Sequence, residues 1–146
     1  SKGNGWNAFI YDSEVTKIWQ NAFTNNNWEE VIIPDSVIEI SYFAFTYAKI
    51  GKLRLGGGVS RIQMDAFDYA EFGEFHINST LTYIDASYPF TACKGHLYIN
   101  KQQTLPMGSG SFSAVTFSDE VTYIPNDFLC SAFCKLHKIR DSMGAK

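Results

Sequence analysis

The sequence has no long apolar run, little charge and few cysteines. No apolar stretch approaches the ~20 residues that a bilayer-crossing helix requires. Charged residues are only 18% of the chain and sum to −3 at pH 7. The basic surface that nucleic acid or an anionic membrane requires is therefore lacking. The three cysteines are an odd number, which excludes a fully paired disulfide set. Pairing of Cys130 with Cys134 stays open and depends on the local turn. There is no Gly-x-Ser-x-Gly elbow. Gly56-Gly57-Gly58 is followed by no Lys-Ser or Lys-Thr and opens no helix, so it is not a phosphate loop. Its expected role is a turn that tolerates positive φ. No leader-like segment opens the chain at Ser1, so any export signal is expected to have been removed or to lie outside it.

What is present is a hydrophobic content of 45% and an aromatic content of 16% over 146 residues. That suffices for one domain with a real core, spanning residues 1–146. Its organisation is a repeat. The triplets Phe9-Ile10-Tyr11, Val31-Ile32-Ile33, Leu53-Arg54-Leu55, Phe75-His76-Ile77 and Leu97-Tyr98-Ile99 start 22 residues apart. Between them recur Val15, Val37, Val59 and Leu81, then Ile18, Ile40, Ile62 and Ile84. Ala-Phe pairs follow at Ala22-Phe23, Ala44-Phe45 and Ala66-Phe67, with Pro89-Phe90 displaced by one residue. The period shortens after Leu97. Residues 100–114 read as a degenerate coil, and further strands are expected to start near 115 and 136.

In an apolar-x-apolar triplet the outer side chains face one way and the middle one the other. A single triplet would leave both its backbone edges unpaired. Stacking at a fixed period pairs equivalent triplets in parallel and piles like residues into interior columns. Turn residues follow each strand: Pro34-Asp35-Ser36, Asn78-Ser79-Thr80 and Ser118-Asp119-Glu120. The expected architecture is an α/β, strand-dominated solenoid of about six 22-residue coils. It has a parallel sheet on one face and short helical or 3₁₀ turns on the other.

Ile33-Pro34-Asp35-Ser36-Val37-Ile38-Glu39-Ile40, followed by Ala44-Phe45, resembles the BspA-like leucine-rich repeat. The resemblance extends from about Phe9 to Ile139 and is weak over 100–114. It implies a curved leucine-rich-repeat solenoid, usually on secreted or surface-anchored bacterial proteins associated with adhesion and protein binding.

Catalytic and metal chemistry find little footing. Cys93-x-x-His96 and Cys134-x-x-His137 look like two zinc half-sites. Their strands, however, are expected two rungs or roughly 10 Å apart, with the histidines in different columns, and zinc needs ligands converging at ~2.0–2.3 Å. Glu74 and His76 occupy successive outward positions, ~7 Å apart, which argues against hydrolysis. No catalytic residue, metal or cofactor is expected. Asn78-Ser79-Thr80 matches a glycosylation sequon in what should be an accessible turn.

The outward strand face is the candidate binding surface. Its central ladder reads Ile10, Ile32, Arg54, His76, Tyr98, Thr116, His137. The ladder just before each triplet contains Glu30, Lys52, Glu74 and His96. Ile32, Arg54, His76, Tyr98, Lys52, Glu74 and His96 are the candidate partner-binding residues. Arg and Tyr are enriched in binding hot spots. Opposite charges on neighbouring rungs stabilise each other by ~0.2–1 kcal/mol. The expected function is a non-enzymatic protein-binding or adhesion module of a secreted or cell-surface protein, with a partner such as a host extracellular protein. A glycan-binding surface and a purely structural repeat domain are the alternatives. The competing site is the turn edge, where Asp35, Ser36, Asn78, Ser79 and Asp119 line up.

Overall fold

From Val31 to Leu97, each triplet lies at the end of a parallel strand. The computed structural model describes residues 8–10, 14–129 and 139–141. Its strands in chain order are β1 (Ala8–Ile10), β2 (Lys17–Ile18), β3 (Asn27–Ile32), β4 (Glu39–Ile40), β5 (Lys49–Leu55), β6 (Arg61–Ile62), β7 (Glu71–Ile77), β8 (Tyr83–Ile84), β9 (Lys94–Ile99), β10 (Ser111–Phe117) and β11 (Ile139–Asp141). One parallel sheet has the order β1-β3-β5-β7-β9-β10-β11 and a smaller one the order β2-β4-β6-β8. The register is that of the repeat. Phe9 pairs with Val31, Val31 with Leu53, Leu53 with Phe75, Phe75 with Leu97, and Leu97 with Val115.

Several expectations need correction. Five turns connect the strands from β1 to β10, where about six coils were expected, and the residues that would complete another include 130–138, outside the described residues. The strand expected to start near 136 is described only over Ile139–Asp141. Thr116 pairs with Arg140 where His137 was expected. His137, Cys130 and Cys134 lie outside the described residues.

No helix occurs among the described residues, so the helical or 3₁₀ face is not found. The reason is in the backbone. Asn21 and Asn25, Phe43 and Tyr47, Asp65 and Tyr69, and Tyr88 and Ala92 all have φ between 56° and 62°. A left-handed residue ends a right-handed helical turn, and two per coil leave no room for one. These kinks aim alternate amides at the next coil. Phe43, Phe45 and Tyr47 donate to the carbonyls of Met64, Ala66 and Asp68, as Asn21, Phe23 and Asn25 do to those of Tyr42, Ala44 and Thr46. The turn wall is thus a third hydrogen-bonded ladder between coils.

The core fills the space between these walls. Phe23, Phe45, Phe67 and Phe90 stack face to face, with successive centroids 4.9, 5.1 and 5.2 Å apart. All four are buried beside the Val and Ile columns. Each such side chain contributes ~1.5–3 kcal/mol. The Phe spacing nearly equals the ~4.8 Å between paired strands. The core column and the strands therefore advance by nearly the same amount per coil.

The weak stretch of the repeat is held by side chains. Buried Gln103 donates to the carbonyl of Ser79 at 2.6 Å and accepts from the Leu81 amide at 3.1 Å. Gln102 reaches the other way, accepting from the Thr122 amide and donating to the Tyr123 carbonyl, both at 2.8 Å. The glycine turn also differs from expectation. Gly56 and Gly58 have no positive φ. A Cβ at Gly58 would instead lie 2.0 Å from the Asp35 carbonyl oxygen. Close approach of coils, not conformational freedom, requires glycine there.

Candidate interaction face

Outward side chains of the large sheet form rows across the strands. One row is Glu30, Lys52, Glu74 and His96; the next is Ile32, Arg54, His76, Tyr98 and Thr116. The structure therefore brings all seven candidate residues onto one face. Ile32 is half-buried at its end. Arg54 Nε lies 3.3 Å from Glu30 Oε2, and Lys52 Nζ lies 3.9 Å from Glu74 Oε1. Such exposed pairs contribute at most about 1 kcal/mol each. Their role here is to set side-chain direction.

The centre of the face is more tightly knit than the spacing suggested. Glu74 and His76, expected ~7 Å apart from strand geometry, meet at 2.9 Å between Oε1 and Nε2. The backbone spacing stands, but the two side chains lean together. A hydrogen-bond chain fixes the imidazole tautomer. Asn78 donates to the Leu55 carbonyl at 2.8 Å, which leaves its Oδ1 to accept from Asn100 Nδ2, also at 2.8 Å. The same Nδ2 lies 3.3 Å from His76 Nδ1. Nδ1 is thus an acceptor, and Nε2–H donates to Glu74. That hydrogen bond, more than the charges of Lys52 and Arg54, holds the Glu74 carboxyl below its ordinary range.

Tyr98 is sandwiched. Its ring stacks on His76, centroids 4.3 Å apart and planes 5° from parallel, and on His96 at 4.1 Å and 11°. Two rings this close cannot share one face of a phenol, so each imidazole covers a different side. His96 Nε2 is 2.7 Å from Thr116 Oγ1. The His76 side chain is only 14% exposed. It is therefore a structural member of the surface as well as a contact residue.

The same geometry separates other groupings. Cys93 is fully buried and points into the core, while His96 lies on the outer face, so this half-site does not converge. Burial, and then the nearby Asp68 carboxyl, push the Cys93 thiol well up, which makes it inert. At the turn edge, Asp35, Gly57, Gly58, Asn78, Ser79, Thr80 and Lys101 line an open depression. Its polar groups are largely used between coils. Asp35 accepts from the Gly57 amide, Ser36 donates to the Val15 carbonyl, and Thr80 donates to the Gln102 carbonyl. Asn78 is engaged as above and Ser79 is buried, so the sequon is not the accessible turn expected.

One row escaped the triplet analysis. Lys49, Glu71 and Lys94 are exposed and in register, four or three residues before each triplet. Exposed Gly51 and Gly73 lie between this row and the Lys52–Glu74 row. The signal was available in the near-constant spacing of these residues.

A stack of short parallel strands in fixed register, closed by turns, defines a leucine-rich-repeat type of solenoid. The chain belongs to the BspA-type leucine-rich repeat family: the family model described as "BspA type Leucine rich repeat region (6 copies)" matches residues 3–114. It is therefore a repeat module of a kind that commonly mediates protein binding and is generally non-enzymatic. No curated protein and no solved structure matches it. Among the described residues no helix is long and apolar enough to cross a membrane.

Proposed function

We propose that the chain is a single repeat domain that binds protein partners through its outer strand face, as an adhesion module of a secreted or cell-surface protein. The observation that supports this most is the ordered centre of the face. Arg54, His76 and Tyr98 are held by ion pairing, stacking and an asparagine chain. A surface already held in one arrangement loses little side-chain freedom on binding, and Arg and Tyr are common anchors. The family's association with surface and secreted bacterial proteins supports the location. A host extracellular protein is the partner class that fits such a location. The glycan alternative is weaker, because sugars stack on open aromatic faces and both faces of Tyr98 are covered.

The test is binding of the chain, at nanomolar concentration, to immobilised collagen, fibronectin and laminin, beside a glycan array. Arg54→Ala and Lys52→Ala should weaken capture of a protein ligand at least tenfold. Asp35→Ala, at the turn edge, should not. Loss confined to the turn-edge variant moves the site there, and binding only on the glycan array replaces this reading.

A further inference from the structure

The strand face carries charge in bands. Taken strand by strand, its charged side chains are Glu29 and Glu30 on β3, Lys49, Lys52 and Arg54 on β5, Glu71 and Glu74 on β7, and Lys94 on β9, with the imidazoles of His76 and His96 left out of this count. Each strand thus presents one sign, and the signs alternate. The adjoining strand β10 offers Ser111, Ser113 and Thr116, which carry no charge.

Alternation explains favourable pairing between neighbours within the sheet. It has a second geometric property. An even number of alternating bands is its own complement when reversed. Turn a second copy about an axis parallel to the strands and midway between β5 and β7. Then β3 faces the other copy's β9, and β5 faces its β7. Every band meets the opposite sign, with Lys49 across from Glu71 and Lys52 across from Glu74 of the second copy. The four acids and four bases of the patch balance. A two-fold axis along the solenoid would instead place each strand on itself and like on like.

Two features of the fold permit such an approach. The strands that carry the bands keep a regular register, and the Phe column beneath them advances by nearly the same amount per coil. Gly51 and Gly73 carry no side chain between the two charged rows, so the rows of one copy have space beside those of the other.

We infer that the banded strand face associates with a second copy of this chain as a two-fold, antiparallel-ordered pair held by charge complementarity. This rests on the reading of the strand face as the docking surface. The four strands cover roughly 400 Å² per copy at standard strand spacing and rise. A stable interface has about 800 Å² per partner. The pair is therefore weak and reversible, and its contacts are exposed to salt.

The experiment is sedimentation equilibrium of the full chain over a concentration series. In about 0.01 M salt, where the Debye length is ~30 Å, the average mass should climb toward twice that of the chain; in about 1 M salt, at ~3 Å, it should return to the monomer. The double variants Lys49→Glu/Lys52→Glu and Glu71→Lys/Glu74→Lys should each stay monomeric alone, and their equimolar mixture should recover the dimer. That recovery cannot come from a folding defect. If the reversals abolish the melting transition, Lys49→Ser/Lys52→Ser removes the charge of β5 without repulsion and should weaken association at least tenfold. A chain that stays monomeric in low salt overturns the inference, whatever the capture assay reads. So does a dimer indifferent to salt or to these substitutions. Capture is measured at nanomolar concentration, where the chain is monomeric on either outcome, so the two readings fail separately.

Discussion

The imidazole of His76 lies flat on the phenol of Tyr98, 4.3 Å between centroids, while its two nitrogens face Glu74 and Asn100. A ring placed this way supports the sheet as well as the surface. Replacing Arg54, His76 and Tyr98 together with Ser should therefore lower the melting temperature, although a purely outward ladder would leave it unchanged. The lost stack and the His76–Glu74 hydrogen bond together come to about 1–3 kcal/mol. Arg54→Ser alone should cost under about 1 kcal/mol. Thermal melts of the single and triple variants check this.

Phe45→Ala and Phe67→Ala should each cost about 3–5 kcal/mol, since each removes a fully buried ring with stacked neighbours on both sides. Urea titration reads the loss. Variants as stable as the parent would mean that the column is not the core.

Asp68 gives the stability a pH dependence. Thr24, Thr46 and Thr91 occupy its position in the other coils and donate from their hydroxyls to turn carbonyls at 2.7 Å. Asp68 stands in this column with a buried Oδ1 that has no hydrogen-bond partner. Burial, then the Asp65 carboxyl, raise it from 3.8 to about 7, against a lowering hydrogen bond from the Thr91 backbone. The folded state thus binds a proton more tightly than the unfolded one. The sign follows: this contribution is most favourable below pH 3.8 and is lost as pH rises toward 7. Denaturation at pH 5 and pH 8 should show the chain gaining stability at the lower pH relative to Asp68→Thr, and Asp68→Thr should be the more stable protein at pH 8. The lowered Glu74 carboxyl acts oppositely, and only below its ordinary value of 4.5, outside this window.

Gln103→Ala should destabilise the weak coil. It strands the buried Leu81 amide and Ser79 carbonyl, at about 1–3 kcal/mol for each unsatisfied group. Amide exchange at Leu81 should accelerate in the variant, whereas exchange at Phe45, two coils away, should change far less.

The columns could be read from the sequence because a period of 22 maps like residues onto one another, and burial then follows from chemistry: Val31, Leu53, Phe75 and Leu97 are all in the core. The turn wall could not. Asn21 and Asn25 tolerate a left-handed backbone, but Phe43, Tyr47 and Tyr69 carry no local cue for it. What holds them is the inter-coil amide ladder. The rows of the candidate face were likewise evident from spacing. The bonds within them were not, because the Glu74–His76 contact and the Asn78–Asn100 chain depend on side-chain torsions that no period encodes. The register of the last strand was not legible for another reason. From Val115 to its partner Ile139 the chain takes 24 residues, two more than the period.

The equal advance of the strands and the phenylalanine column has a mechanical consequence. Tension applied between the two ends would run along the stacking axis, so each seam between coils carries load on all its ladders together. Seams are alike through the middle of the array, and none is sheared along its strands. Under force the chain should peel, one coil at a time from an end. Each step through the 22-residue coils would release roughly 70–80 Å of extended backbone, in a near-regular sawtooth.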